Sequence, residues 1–232
     1  MLGVAYGHLP SASYPLAQGA VRSMKSKPGQ IVILNGTPRS GKSSIAQAIQ
    51  QTFDGVWMNL GVDGFMRMTP EQYLPGIGLR PGGERPDLEP LIVRLYEAMY
   101  ESIAAHSRLG INVVVDVGHH DAYSEPLHIL PRCARKLAGL PVLFVGVRCP
   151  IEVIMERRRA TGWPVPDDGS IPTPVALWQE VVHTPGIYDM EGDTSQLTPE
   201  EGAALIRIRL AEPPRPTAFE RLVARVDGAL GS

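Results

Sequence analysis

Residues 33 to 44 read ILNGTPRSGKSS, in which an apolar run passes directly into a turn holding two glycines, a lysine and two serines. Gly36, Gly41, Lys42 and Ser43 satisfy the pattern G-x-x-x-x-G-K-[ST], with a β-like run before it and a helical pattern after it. Few short patterns restrict a fold as tightly. Glycine lets the backbone wind so that several N–H groups face one anion, and the following helix adds the positive end of its dipole. The stretch Gly36, Thr37, Pro38, Arg39, Ser40, Gly41, Lys42, Ser43 and Ser44 is therefore expected to cradle the phosphates of a nucleotide such as ATP. In that arrangement Lys42 bridges the β- and γ-phosphates, and the Ser43 hydroxyl ligates the accompanying Mg²⁺. The plainer alternative is a glycine turn with an exposed lysine, which leaves the agreement of residues, spacing and flanks to coincidence.

The rest of the chain supplies a setting for this turn. Runs rich in β-formers at 31–35, 56–62, 111–117 and 141–147 alternate with helix-like stretches, which predicts a parallel sheet covered by helices. Apolar residues at Leu91, Leu95, Met99 and Ile103 mark a helix that closes at Gly110. Thr198, Pro199 and Glu201 have the spacing of a capped helix start, and residues 217–230 fit a last helix. The Pro/Gly-rich stretch from Leu74 to Pro90 reads as a loop that closes on a ligand. The fold class expected is α/β, a three-layer P-loop kinase fold with about five parallel strands. Residues 1–29 lack a steady period and are expected to be a flexible extension to a domain spanning 30–232.

Composition narrows the partners. A formal net charge of -2 provides no basic field for long nucleic acid, so a small ligand is favoured. No apolar run approaches the ~20 residues of a membrane span, and the start lacks a secretory pattern. Cys133 and Cys149 have no paired Cys or His spacing and read as buried thiols, which suits the cytoplasm. Whether the chain forms a homo-oligomer stays open.

Nucleotide binding alone leaves switch, motor and kinase in play. No N-K-x-D stretch follows a later strand, which removes the guanine-specific switch, and 232 residues leave little room for the modules of a large ATPase. A small kinase needs a metal carboxylate and a base. Asp116, at the end of NVVVDV, is placed for the first, with a turn-capping Asp as the alternative. Asp63, after VWMNLGV, is placed for the second, with an Asx turn aided by Gly64 as an equal alternative. The segment IEVIMERRRATGWPVPDDGS predicts a helix and lid around 156–170, with Arg157 or Arg159 turned to the phosphates and the other arginines solvated. His119 and His120 are expected to face solvent, with binding of a polar acceptor as the alternative.

ILNGTPRSGKSS, LGVDGFM, VVVDV, VGVRCP and VVHTPGIYDMEGDT, in order from Ile31 to Thr194, resemble the chloramphenicol phosphotransferase family. The resemblance implies a P-loop kinase that phosphorylates a primary hydroxyl of an antibiotic with ATP. It implies Asp63 as the base, Lys42 as the phosphate lysine and Ser43 on the metal side. The chain departs from that family where a pair of acidic residues often ends the third strand, since His119 and His120 follow Asp116 here. It departs again in the charges Arg80, Glu84, Arg85 and Asp87 of the Pro/Gly insert, which a neutral aromatic antibiotic does not need. The acceptor is thus expected to be a small hydroxylated molecule, with chloramphenicol one candidate. The rivals are a metabolic kinase for a nucleoside, sugar or other intermediate, and a nucleotide-binding regulatory protein.

Overall fold

The computed structural model describes residues 27–230, so most of the expected N-terminal extension lies outside the described residues. Strands β1 (Ile31–Asn35), β2 (Trp57–Asn59), β3 (Asn112–Val117), β4 (Val142–Arg148) and β5 (Met190–Asp193) form one sheet in the order β2-β3-β1-β4-β5. Every neighbouring pair is parallel. Helices α1 (Lys42–Thr52), α2 (Val62–Met68), α3 (Glu89–Arg108), α4 (Ile129–Lys136), α5 (Ile151–Ala160), α6 (Thr173–Val181), α7 (Pro199–Ala211) and α8 (Ala218–Leu230) complete the chain.

The central strands read as unbroken apolar runs because both faces of the sheet are covered. Ile31, Ile33, Val113, Val115 and Phe144 meet α3, α4 and α8 on one side. Val32, Leu34, Val114, Leu143 and Val145 meet α1 and α7 on the other. This is the three-layer α/β arrangement that the motif and the alternation predict. Its ligand edge is fixed by register, since Leu34 pairs with Asp116 and Asn35 with Val117 where β1 and β3 end together.

Local chemistry explains the element ends. The Thr198 hydroxyl accepts from the Glu201 N–H at 3.2 Å and the Glu201 carboxylate accepts from the Thr198 N–H at 2.8 Å, the capping box expected for α7. Beyond α3, Gly110 has φ 82° and its N–H donates to the Ser107 carbonyl. The buried stripe of α3 is Ile92, Tyr96, Met99, Tyr100 and Ile103, rotated from the expected Leu91/Leu95 line, because a strict four-residue repeat drifts round a helix of 3.6 residues per turn.

The run at 56–62 is a strand only as far as Asn59. Leu60 N–H makes a last bond to the Val114 carbonyl, and the Asn59 side chain then accepts from the Gly61 N–H at 3.0 Å, closing an Asx turn that starts α2. Asp63 therefore lies in the first turn of a helix, not at a strand end, and Gly64 is an ordinary helical residue. The Pro/Gly-rich stretch from Leu74 to Pro90 is also more ordered than a plain loop. Ile77 and Leu79 are buried, the Leu79 carbonyl pairs with His120 Nε2 at 3.1 Å, and Gly82 N–H donates to the Ala122 carbonyl at 2.9 Å. Cys133 and Cys149 are free, buried thiols.

Candidate active site

A cleft of about 1400 Å³ opens at the ends of β1 and β3. One wall is the turn from Gly36 to Ser44. Gly36 is required by close approach, since a Cβ there would overlap the Val147 carbonyl oxygen of β4. The backbone turns left-handed at Arg39, φ 70°, and at Gly41, φ 94°, and enters α1 at Lys42. Thr37 and Ser40 are buried, Pro38, Arg39, Gly41 and Lys42 are half-buried, and Ser43 and Ser44 are exposed to the cleft. Lys42 Nζ donates to the Gly36 carbonyl at 2.8 Å and the Thr37 carbonyl at 2.6 Å. Burial lowers its pKa to about 8, against the opposing pull of the Asp116 and Asp63 charges.

Asp116 does not cap a turn. It is 9% exposed, and the Ser43 hydroxyl donates to its Oδ2 at 2.7 Å. This pair of hard oxygen donors beside the cradle suits Mg²⁺, which takes one or two protein oxygens and completes its shell with phosphate and water. Among the described residues no cluster of three or more His, Cys, Asp or Glu offers a self-sufficient metal cage, so the phosphates would have to complete the shell. The start of α2 packs against the same carboxylate. A Cβ on Gly61 would overlap Asp116 Oδ1, so only glycine lets α2 begin this close to β3. Two residues further on, in the first turn of α2, Asp63 is exposed to the cleft.

The three arginines of α5 divide differently from expectation. Arg157 and Arg158 line the cleft, whereas Arg159 is solvent-exposed and does not reach it. Successive helical residues point about 100° apart, so two neighbours can share one face and the third is carried away. Arg157 donates to the carbonyls of Thr194, at 2.7 Å, and Arg39, at 3.3 Å, and to the Thr194 hydroxyl at 3.1 Å. The same hydroxyl donates to the Ser40 carbonyl at 2.6 Å. Arg157 and Thr194 thus tie the far side of the cradle to the end of β5. Nothing in the sequence assigns Thr194 a role; it enters there only as the last residue of the family-like stretch VVHTPGIYDMEGDT. Arg158 Cζ stands 5.1 Å from the Trp163 ring centroid and Arg39 Cζ 4.3 Å from it, two guanidiniums on one indole.

The opposite wall combines α2, the 74–80 segment, α3 and α6, and is mainly apolar, with Met66, Ile77, Tyr96 and Trp178 prominent. Behind it the two histidines are buried, contrary to the expectation of solvent-facing residues. His119 Nε2 pairs with the Tyr100 hydroxyl at 2.7 Å, and His120 lies 4.3 Å from the Tyr123 ring and 4.9 Å from Trp178. Burial lowers the pKa of His119 to about 3. His183 and Tyr188 belong to an internal brace: His183 Nδ1 pairs with the Tyr188 hydroxyl at 2.8 Å, and Asn35 Nδ2 donates to that hydroxyl at 2.8 Å. Asn35 Oδ1 accepts from the His119 N–H at 2.7 Å, which locks the ends of β1 and β3 together. Asp189 accepts from the Phe144 and Ala218 N–H groups and is structural.

With this geometry in view, residues 29–211 match the chloramphenicol phosphotransferase-like protein family. The chain belongs to that family. Among curated relatives of the chloramphenicol phosphotransferase-like chain, a protein named as a candidate O-phosphotransferase of Mycobacterium tuberculosis strain H37Rv is 27% identical over 214 residues, covering 85% of this chain and 89% of the relative. A sugar kinase from Janibacter sp. HTCC2649 superposes with TM-score 0.53 at 18% identity, over 79% of this chain and 95% of that one. The tunicamycin resistance protein of Deinococcus radiodurans superposes with TM-score 0.53 at 19% identity, over 81% and 99%. These two show a shared fold. Family and fold make the protein a P-loop kinase, a phosphotransferase with an alcohol group as acceptor. Among the described residues, no helix is long and apolar enough to cross a membrane.

Proposed function

We propose that the protein moves the γ-phosphoryl group of ATP to a hydroxyl of a small molecule held against the α2 wall, with Asp63 as general base. The observation that carries this reading is the convergence of Asp63, Lys42 and Asp116 on one cleft, close enough that both carboxylates act on the lysine charge. Asp63 accepts the acceptor's proton as its oxygen attacks. Lys42 holds the phosphate oxygens, and Ser43 with Asp116 would hold Mg²⁺. When bound, ATP with Mg²⁺ supplies the transferable group and neutralises charge on it. Arg158, in place of Arg159, is the lid arginine on the cleft side, and Arg157 holds the cradle in shape. The apolar, aromatic acceptor wall accords with the antibiotic named by the family and with the tunicamycin of the Deinococcus protein's name, and a ring-bearing metabolite would fit the same wall.

Asp63→Asn tests the assignment. Asparagine keeps shape and hydrogen bonding but takes no proton, so kcat should fall by about 10² to 10⁴ while ATP affinity barely moves. Steady-state turnover across a panel of hydroxylated acceptors, paired with ATP titration, reads both. A kcat within about threefold of wild type, far short of the loss general-base catalysis predicts, makes Asp63 a helix-start residue only. ATP binding that collapses with turnover puts Asp63 in the nucleotide site instead. Release of ADP that no acceptor accelerates would favour a regulatory nucleotide-binding role.

A further inference from the structure

The acceptor wall holds one charged group beyond Asp63, and its footing is firm. Arg80 follows Leu79, which is 2% exposed and held through its carbonyl by His120, and precedes Gly82, whose N–H is held by Ala122. The main chain on both sides is thus pinned, and Arg80 reaches the cleft from a fixed base. Its one ion pair is to Glu84 at 3.4 Å, with both side chains about half exposed. Such a pair contributes little and releases its arginine readily.

Across the cleft stands Arg158, whose Nε is enclosed without a hydrogen-bond partner. Burial and the nearby charges of Arg39 and Arg80 hold its pKa below the ordinary arginine value. Three guanidiniums, Arg39, Arg80 and Arg158, therefore share the cleft besides Arg157, which is tied to backbone carbonyls. The only carboxylates lining that cleft among the described residues are Asp63 and Asp116, and both act on Lys42. Like charges gathered with only the half-exposed Glu84 as counter-charge repel, and an anion placed among them relieves the repulsion and gives Arg158 Nε a partner. Nucleotide phosphates answer for Arg39, which belongs to the cradle. Arg80 stands on the segment that follows α2, on the same wall as Asp63, so its anion comes from the molecule in that half of the cleft.

Resting on the phosphotransfer reading above, we infer that the acceptor is a hydroxy acid: its hydroxyl lies at Asp63, its apolar body against Met66, Tyr96 and Trp178, and its carboxylate at Arg80 with Arg158 across from it. A guanidinium fork is matched to a carboxylate in geometry and in charge. This separates the substrate class from neutral aromatic alcohols, for which Arg80 would have no use.

The test compares acids with their own neutral amides. The probes are 4-(hydroxymethyl)benzoate and 3-[4-(hydroxymethyl)phenyl]propanoate, each beside its carboxamide, titrated calorimetrically into the full chain with Mg²⁺ and a non-hydrolysable ATP analogue present. At least one acid should bind about tenfold or more tightly than its amide, the scale of a charge-assisted hydrogen bond, and the preference should shrink as salt is raised. In Arg80→Gln the acid–amide difference should collapse, and affinity for the ATP analogue should fall less than affinity for the acid. Equal binding of acid and amide by wild type, no binding of either acid, a preference that survives Arg80→Gln, or loss of the ATP analogue as large as that of the acid each overturns the inference. Turnover of the amides that disappears in Asp63→Asn would leave the phosphotransfer reading standing while this one falls.

Discussion

Lys42 occupies the point where both walls of the cleft act on one charge. Its ammonium is held by two carbonyls of the turn and faces Asp63 and Asp116. Lys42→Ala removes that charge and leaves the backbone cradle, so turnover should drop by about 10² to 10³ or more, the loss seen when one preorganised donor is deleted. Circular dichroism and melting temperature should stay near wild type; full turnover in this variant would defeat the kinase mechanism. The lysine and its neighbours Ser43 and Asp116 were legible because a local motif and a strand end fix them. The split between Arg158 and Arg159 was not. It depends on which way α5 is rolled, and its roll is set by Ile154 and Met155, the buried residues of the helix. The burial of His119 and His120 was hidden for a related reason, since Tyr96, Tyr100 and Trp178, which pack on them, come from segments distant in sequence.

At the scale of elements, the junction of β2 with α2 carries the tightest constraint. Strand and helix are joined by Leu60 and Gly61, and Gly61 rests on the Asp116 carboxylate. Gly61→Ala must displace either the start of α2 or that carboxylate, and hence the Ser43 contact. The cost in stability should be about 1–3 kcal/mol, the usual scale of overpacking. Mg²⁺-dependent turnover should fall by more than that loss of folded protein explains. Measuring turnover per folded molecule, with folding followed by urea titration, separates the two effects, and unchanged specific activity would show that the carboxylate is free to yield. Nothing in the sequence marks α2: VDGFMRM is short, has a glycine in its first turn and buries no residue fully, so neither propensity nor periodicity reveals it. By contrast the central strands were readable, because double-sided burial makes them uniformly apolar, and α7 was readable from its cap.

Across the whole molecule the ends of β1 and β3 are braced by groups that remain neutral. Burial lowers His119 from the ordinary 6.5 to about 3, and burial first, then the charge of Arg148, lowers His183 to about 4. Unfolding lets each take a proton near 6.5, so the unfolded chain binds more protons below that value. The stability they contribute is complete above pH 6.5 and is lost as pH falls toward the folded values. Urea unfolding at pH 7 and pH 5 should therefore show a clear loss, at most about 1.4 kcal/mol per pH unit for each histidine. His119→Gln should flatten the dependence, and a stability that is constant between those two pH values would refute it.

The indole held between Arg39 and Arg158 gives the molecule an optical gauge. Trp163 is 44% exposed, whereas Trp57 and Trp178, the other two tryptophans of the chain, are 6% and 8% exposed. Quenchers dissolved in water such as acrylamide will therefore reach mainly Trp163. An anion that draws either guanidinium from its ring alters both the field on the indole and the access of quencher to it. Steady-state emission at Trp163, checked against Trp163→Phe, should then report nucleotide arrival without any attached dye, and an emission that ATP leaves untouched would mean the two arginines do not leave their places.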